Sequence, residues 1–253
     1  MKTIAVSNQK GGVGKTTTCV NLTCALREAG RRVLLCDLDP QGNATSGMGV
    51  DKTAVSPGIY EVLVSGAEIR SAVVSTRYGD VLPANSGLAG AGIELVGMEG
   101  REYVLKNALA LLKDDYDYIL IDCPPSLEML TLNALTAADS VLIPVQCEYY
   151  ALEGLTDLML SIRLTKQSFN PDIGVEGVLL TMYDSRTNFS AQVAQEVKRY
   201  FRDKVYSVVI PRNVRIAEAP SHGQPVLTYD RQSRGAAAYR QLAAELIAKN
   251  QGG

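Results

Sequence analysis

The densest chemistry in the sequence lies in eight consecutive residues, Lys10-Gly11-Gly12-Val13-Gly14-Lys15-Thr16-Thr17. They follow a short β-branched run and open a helix-like segment. Glycines at this spacing let a loop turn its backbone N–H groups onto phosphate oxygens, and the helix N-terminus adds partial positive charge. Lys15 is spaced to reach β- and γ-phosphates, and the Thr16 hydroxyl to ligate Mg²⁺. The usual pattern G-x-x-x-x-G-K-[ST] would put glycine at position 9, where this chain has Gln9. Next to it stands a second lysine, Lys10, five residues before Lys15.

Two further segments supply acids. One candidate strand ends in Cys36-Asp37-Leu38-Asp39-Pro40-Gln41-Gly42-Asn43, and another in Asp122-Cys123-Pro124-Pro125-Ser126. Carboxylates at the C-terminal ends of strands lie on the edge where doubly wound sheets bind nucleotides. Beside a phosphate loop, one such Asp can hold Mg²⁺ through water, and a second can orient the water that attacks the γ-phosphate. Alone, Asp37 or Asp39 is an ordinary turn residue; together with the loop, the acids point to nucleotide hydrolysis. Guanine-reading folds of this kind use [N/T]-K-x-D. The nearest string, Thr165-Lys166-Gln167-Ser168, lacks the final Asp, which favours ATP over GTP.

These residues need elements to position them. Strand candidates are Thr3–Ser7, Arg32–Asp37, Asp80–Ala84, Tyr116–Asp122, Ser140–Val145, Val175–Met182 and Val205–Ile210. Several are continuously apolar, as strands buried on both faces must be. Helix-like segments lie between them: Thr16–Ala29, Glu102–Lys113, Leu152–Ser168, Ser190–Arg202 and Ala236–Lys249. Gly30 suits the position just past the first helix, and Asn188 or Ser190 suits a cap for the fourth. Gly87–Gly100 reads as a loop or a frayed helix start. The alternation predicts an α/β fold: a twisted, mostly parallel sheet with helices on both faces, in one domain spanning 1–253.

Other classes fall away. None of the apolar runs approaches the ~20 residues of a membrane helix, and the first residues lack a secretory apolar segment. Five cysteines without a Cys-x-x-Cys predict reduced, mostly buried thiols in a cytoplasmic protein. With no Trp and three Phe, an aromatic platform for single strands is not expected. No Gly-x-Ser-x-Gly accompanies the only histidine, His222, which reads as a structural loop residue. The formal net charge of −2 conceals a division: residues 1–185 sum to −8 and residues 186–240 to +6. The basic part, which includes Arg186, Lys198, Arg199, Arg202, Lys204, Arg212, Arg215, Arg231 and Arg234, leaves room for an anionic partner.

The motifs together resemble the ATPases with a deviant phosphate loop, and among them the small chromosomal ParA/Soj proteins. The similarity runs on through Asp39 to Gly47, Ile121 to Ser126, Pro144 to Gly154, Gly177 to Asp184, Ile210 to Arg215 and Glu218 to Gly223. It is weakest over residues 49–115 and in the last helix. The resemblance implies an ATP-driven homodimer in which Lys10 reaches across to the partner's phosphates, as an arginine finger would. It implies that Lys10 through Thr17 bind the nucleotide, that Lys15 and Thr16 hold phosphate and Mg²⁺, that Asp39 positions the attacking water, and that Asp122 stands in the outer Mg²⁺ shell. Met182 and Pro211 would flank adenine. Arg186 and Arg215 fall on the family's motifs for sequence-independent DNA binding. A ParB-like partner would stimulate slow hydrolysis and release the dimer from the nucleoid, positioning chromosomal origins.

Two related readings compete. A MinD-like membrane-cycling regulator would end in a basic amphipathic anchor, whereas Tyr239–Asn250 reads as an Ala-rich packing helix. A ParA-like ATPase positioning another cargo would share every motif. A metabolic phosphate-loop enzyme would need a substrate pocket or paired cluster cysteines. The loop begins within ten residues of Met1, so no N-terminal helix-turn-helix domain is expected.

Overall fold

Residues at the core of the sheet alternate between its two faces, and the apolar strands have helices on both. The computed structural model describes residues 1–148 and 153–251. Its strands are β1 (Lys2–Val6), β2 (Val33–Asp37), β3 (Val74–Thr76), β4 (Gly79–Leu82), β5 (Tyr118–Asp122), β6 (Ser140–Gln146) and β7 (Gly174–Thr181). They form one sheet in the order β3-β4-β2-β5-β1-β6-β7. Among the described residues only the β3–β4 pair is antiparallel. β1, which feeds the phosphate loop, is therefore interior, flanked by β5 and β6.

Period-two alternation sorts the core into two layers. Ala5, Leu34, Cys36, Ile119, Ile121, Val141 and Ile143 face one layer, with Leu88, Leu105, Leu135 and Leu158 of the covering helices. Ile4, Val6, Val33, Leu35, Leu120 and Leu142 face the other. That second layer is closed by the phosphate-loop helix Lys15–Glu28 and the C-terminal helix Arg234–Gln251, which bury Leu22, Leu26, Tyr239, Leu242 and Leu246 between them. The C-terminal helix is thus a packing helix. Among the described residues, no helix is long and apolar enough to cross a membrane. All five cysteines are free and buried.

Several expected boundaries need correction. Val205–Ile210 is no strand, although Tyr206 and Ile210 donate to Val178 and Leu180 of β7 at 2.9 and 2.8 Å. Between them the Glu245 carboxylate accepts the Ser207 and Val208 N–H groups, diverting them from the ladder. Residues 87–100 follow the helical alternative and not the loop, with a full helix at Leu88–Val96 that buries Leu88, Ala91 and Leu95. The segment Glu102–Lys113 is shorter than expected, a 3₁₀ turn Arg101–Tyr103 followed by the helix Val104–Ala110. The cap of helix Asn188–Phe201 is neither Asn188 nor Ser190 but Thr187, whose hydroxyl accepts from the Ser190 N–H at 3.3 Å. Gly30, at φ 77°, does follow its helix as expected. The helix expected from Leu152 is described from Glu153 to Ser168; Tyr149, Tyr150, Ala151 and Leu152 lie outside the described residues.

Candidate active site

Strand register sets the site. Val6 pairs with Asp122, and Asp122 with Asp37, so β1, β5 and β2 end at one level. The phosphate loop leaves β1 there and is braced at several points. The Asn8 side chain donates to the Pro144 carbonyl at 2.8 Å and accepts from the Lys10 N–H at 3.0 Å. The Thr181 hydroxyl donates to the Val13 carbonyl at 2.8 Å, tying the loop to β7. Gly12 and Gly14 take φ values of 75° and 92°, where a side chain would be strained. A Cβ on Gly11 or Gly12 would meet nothing within 4 Å, so the space above the loop is open. The helix that begins at Lys15 has no side-chain cap and no acid in its first turn. Its orphan N–H groups and dipole face that space, an arrangement that fits a phosphate chain.

Lys15 and Lys10 leave this loop in different directions. Lys15 is buried, and its ammonium donates to the Lys10 carbonyl at 3.2 Å. Burial lowers its pKa, opposed chiefly by the neighbouring Asp122. Lys10 points outward, with its Nζ 3.7 Å from a Glu148 carboxylate oxygen on the surface.

The three acids are not equivalent. Asp37 is fully committed to structure: it accepts from the Thr45 N–H at 2.7 Å, the Thr45 hydroxyl at 2.6 Å and the Asp39 N–H at 3.3 Å. Burial pushes its carboxyl up to about 6, against those hydrogen bonds. Asp39 sits beyond the strand end and accepts from the Gln41 N–H at 2.9 Å. Asp122 is completely buried, and its Oδ2 has no hydrogen-bond partner among the described residues. Burial raises its pKa well above the carboxylate range, and the Asp37 charge adds to this; Thr16 and Lys15 oppose it. An orphaned buried carboxylate oxygen beside a threonine hydroxyl is a donor set that fits Mg²⁺. Among the described residues no group of three His, Cys, Asp or Glu could hold a metal by itself, and Mg²⁺ usually borrows phosphate oxygens and water for the rest of its shell.

Beside the loop lies a cavity of about 330 Å³, lined by Gly14, Thr17, Thr181, Met182, Ile210 and Pro211, with Asn213, Ile216 and Tyr239 also on its wall. Met182 holds a left-handed φ of 51° there. The last three residues escaped the sequence reading. A signal existed for both Asn213, which lies inside the Ile210-to-Arg215 run, and Ile216, which follows it. Thr45, in the short helix Asn43–Gly47, was also missed, because a lone threonine gives no hint that a buried acid eight residues earlier depends on it.

The two nominated arginines do not line this cavity, and both are ion-paired. Arg186 grips Asp184 at 2.9 and 2.7 Å, holding that carboxyl well below its usual range. Arg215 pairs with Glu218 at 2.9 Å and Asp230 at 3.4 Å. His222 stacks on Tyr229, with ring centroids 4.9 Å apart.

A phosphate loop between an interior parallel strand and an uncapped helix, with strand-end acids behind it, defines a phosphate-loop ATPase, and the lysine at position 10 places it in the deviant subclass. The AAA domain profile matches residues 1–175. The chain is 59% identical over 249 residues to the sporulation initiation inhibitor protein Soj of Bacillus subtilis, covering 98% of each. It is 53% identical over 249 residues to the chromosome partitioning protein ParA of Myxococcus xanthus, covering 98% of this chain and 88% of that one. Among solved structures, cobyrinic acid a,c-diamide synthase from Mycobacterium smegmatis with bound ATP analogue and magnesium is similar at a TM-score of 0.88 and 43% identity, covering 99% of this chain and 96% of that one. The chain belongs to the ParA/Soj family of chromosome-partitioning ATPases. It is an ATPase, with ATP and Mg²⁺ as cofactors.

Proposed function

We propose that ATP closes two copies of this chain into a homodimer that binds double-stranded DNA without sequence preference, and that a ParB-like partner stimulates hydrolysis and so releases it. Cycling in this way over the nucleoid positions and segregates chromosomal origins. The observation that carries the reading is the divergence of the two lysines: Lys15 turns in beneath the loop while Lys10 turns out to the surface. A single active site needs only the first. The second is placed to supply charge to phosphates bound by a second copy, as an arginine finger does.

In this reading the N–H groups of Gly11, Gly12, Val13 and Gly14 cradle the phosphates, with Lys15, Thr16 and Thr17 at the helix start. Mg²⁺, when bound, neutralises charge on the phosphate oxygens. Thr16 ligates it, and Asp122 holds it through water. Asp39 orients the attacking water, and Met182 and Pro211 flank adenine. Arg186 and Arg215 contact DNA once their acidic neighbours yield. The domain 1–253 acts as one unit. The buried, well-packed C-terminal helix favours DNA over a membrane as the partner surface, and the same motor could serve another cargo through another partner.

ATP turnover measured alone, with random-sequence duplex DNA, and with DNA plus a ParB-like protein tests this directly. Slow basal turnover that rises only with DNA and partner together is expected. Turnover unaffected by both, with ATP-dependent recruitment to liposomes instead, would overturn it in favour of the MinD-like alternative.

A further inference from the structure

A second cluster of arginines lines a concavity separate from the nucleotide cavity. Arg27, at the end of the phosphate-loop helix, Arg77, in the β3–β4 turn, and Arg231, ahead of the C-terminal helix, line one open concavity of about 320 Å³, together with Tyr78 and Thr228. All three are exposed, and none has a carboxylate partner within 4.0 Å among the described residues. The one acid on the rim, Glu28, is already neutralised by Arg240 at 2.7 Å. Arg240 also donates to the Arg231 carbonyl at 2.9 Å, which fixes that turn. The Arg77 guanidinium lies 4.7 Å over the Tyr78 ring and donates to its hydroxyl, so its direction is set.

Three guanidinium groups on one concavity without counter-ions repel one another, and a bidentate anion relieves the repulsion. The contrast with Arg186 and Arg215 is instructive, since each of those must first part from a carboxylate. Arg231 also directly follows Asp230, the partner of Arg215, so this end of the cluster neighbours the Arg215 ion pair.

We propose that Arg27, Arg77 and Arg231 form a phosphate-contact site for the backbone of duplex DNA. This rests on the DNA reading above and extends it to residues outside the motifs that suggested it. Phosphate contacts of this kind steepen the salt dependence of binding, by about one unit of log K against log salt per contact.

The test compares DNA affinity of the full chain with Mg²⁺-ATP across a salt series for wild type, the triple variant R27A/R77A/R231A and the charge-retaining R27K/R77K/R231K. Basal ATP turnover of each, measured without DNA, checks that the fold is intact. Expected is a slope shallower by about two units or more, and affinity at least ~10-fold weaker near 0.1 M salt, for the alanine variant, with the lysine variant close to wild type. Equal slopes for wild type and the alanine variant overturn the proposal while leaving the DNA reading intact. So does equal loss in both variants, which would make packing rather than charge the cause. Loss of binding to phosphatidylglycerol vesicles with DNA binding unchanged would overturn it too. A wild-type chain that binds no DNA at any salt concentration overturns both.

Discussion

The Lys15 ammonium reaches back to the main-chain carbonyl of Lys10 at 3.2 Å, so the two lysines of one loop meet through a backbone oxygen while their charges face opposite ways. One is buried among acids, and the other pairs at the surface with Glu148. Different losses should follow from removing each. Lys15→Ala is expected to abolish nucleotide binding, whereas Lys10→Ala should bind ATP yet stay monomeric. Fluorescent ATP-analogue titration and light scattering separate the two, and full ATP-dependent dimerisation of Lys10→Ala would show that its charge is not used across an interface.

Asp39 is held by the Gln41 N–H and lies just beyond the strand end. Asp39→Ala should retain ATP but hydrolyse it at least ~100-fold more slowly, the scale of a lost proton-handling group. The expected product is a persistent ATP-bound dimer on DNA. Single-turnover hydrolysis and DNA co-sedimentation measure both sides, and unchanged hydrolysis would remove Asp39 from the reaction.

Gly12 combines a left-handed φ with open space around the position of an absent Cβ. Gly12→Ala should therefore cost the fold only about 1–2 kcal/mol, while ATP affinity falls by tenfold or more, about 1.4 kcal/mol, because the methyl group enters the phosphate space. Thermal unfolding and ATP titration read these separately. Intact ATP binding would argue against a phosphate above the loop.

Thr45 is the hidden support of the acidic loop. Its hydroxyl donates to Asp37 and accepts from the Ala84 N–H at 3.0 Å. Thr45→Val keeps the shape and the backbone N–H bond to Asp37, but takes the hydroxyl bond from that buried carboxylate and leaves the buried Ala84 N–H without its acceptor. A loss of about 1–3 kcal/mol in urea unfolding is expected; a change near zero would mean that Asp37 finds other partners.

Arg215→Glu would remove a cation and leave the new carboxylate beside Glu218 and Asp230. DNA affinity should fall sharply with ATP affinity unchanged. Gel shift in parallel with ATP titration checks this, and unaltered DNA binding would exclude Arg215 from the interface.

Much of this was legible in the residues. β1, β2 and β5 are buried on both faces, so their apolar runs stand out; β1 runs into the phosphate loop, and the ends of β2 and β5 mark the acids. The phosphate loop announces itself by glycine spacing and the following helix. What escaped notice depends on contacts that local composition does not show. β3 is three residues long and half-exposed, and exists by pairing with β4 across a tight turn. Val205–Ile210 has strand composition, but Glu245, far along the chain, takes its N–H groups. Thr45 matters only because Asp37 is buried against it. The arginine cluster joins residues 27, 77 and 231, which only the folded chain brings to one concavity.

The most direct test of the ATP-driven DNA-binding dimer is the mass of the protein in solution with Mg²⁺-ATP and with Mg²⁺-ADP, alone and with random-sequence duplex DNA. Expected is twice the mass of one chain with ATP, moving with the DNA, and a single chain free of DNA with ADP. A chain that hydrolyses ATP while remaining monomeric, or that binds DNA equally well with ADP, would contradict it.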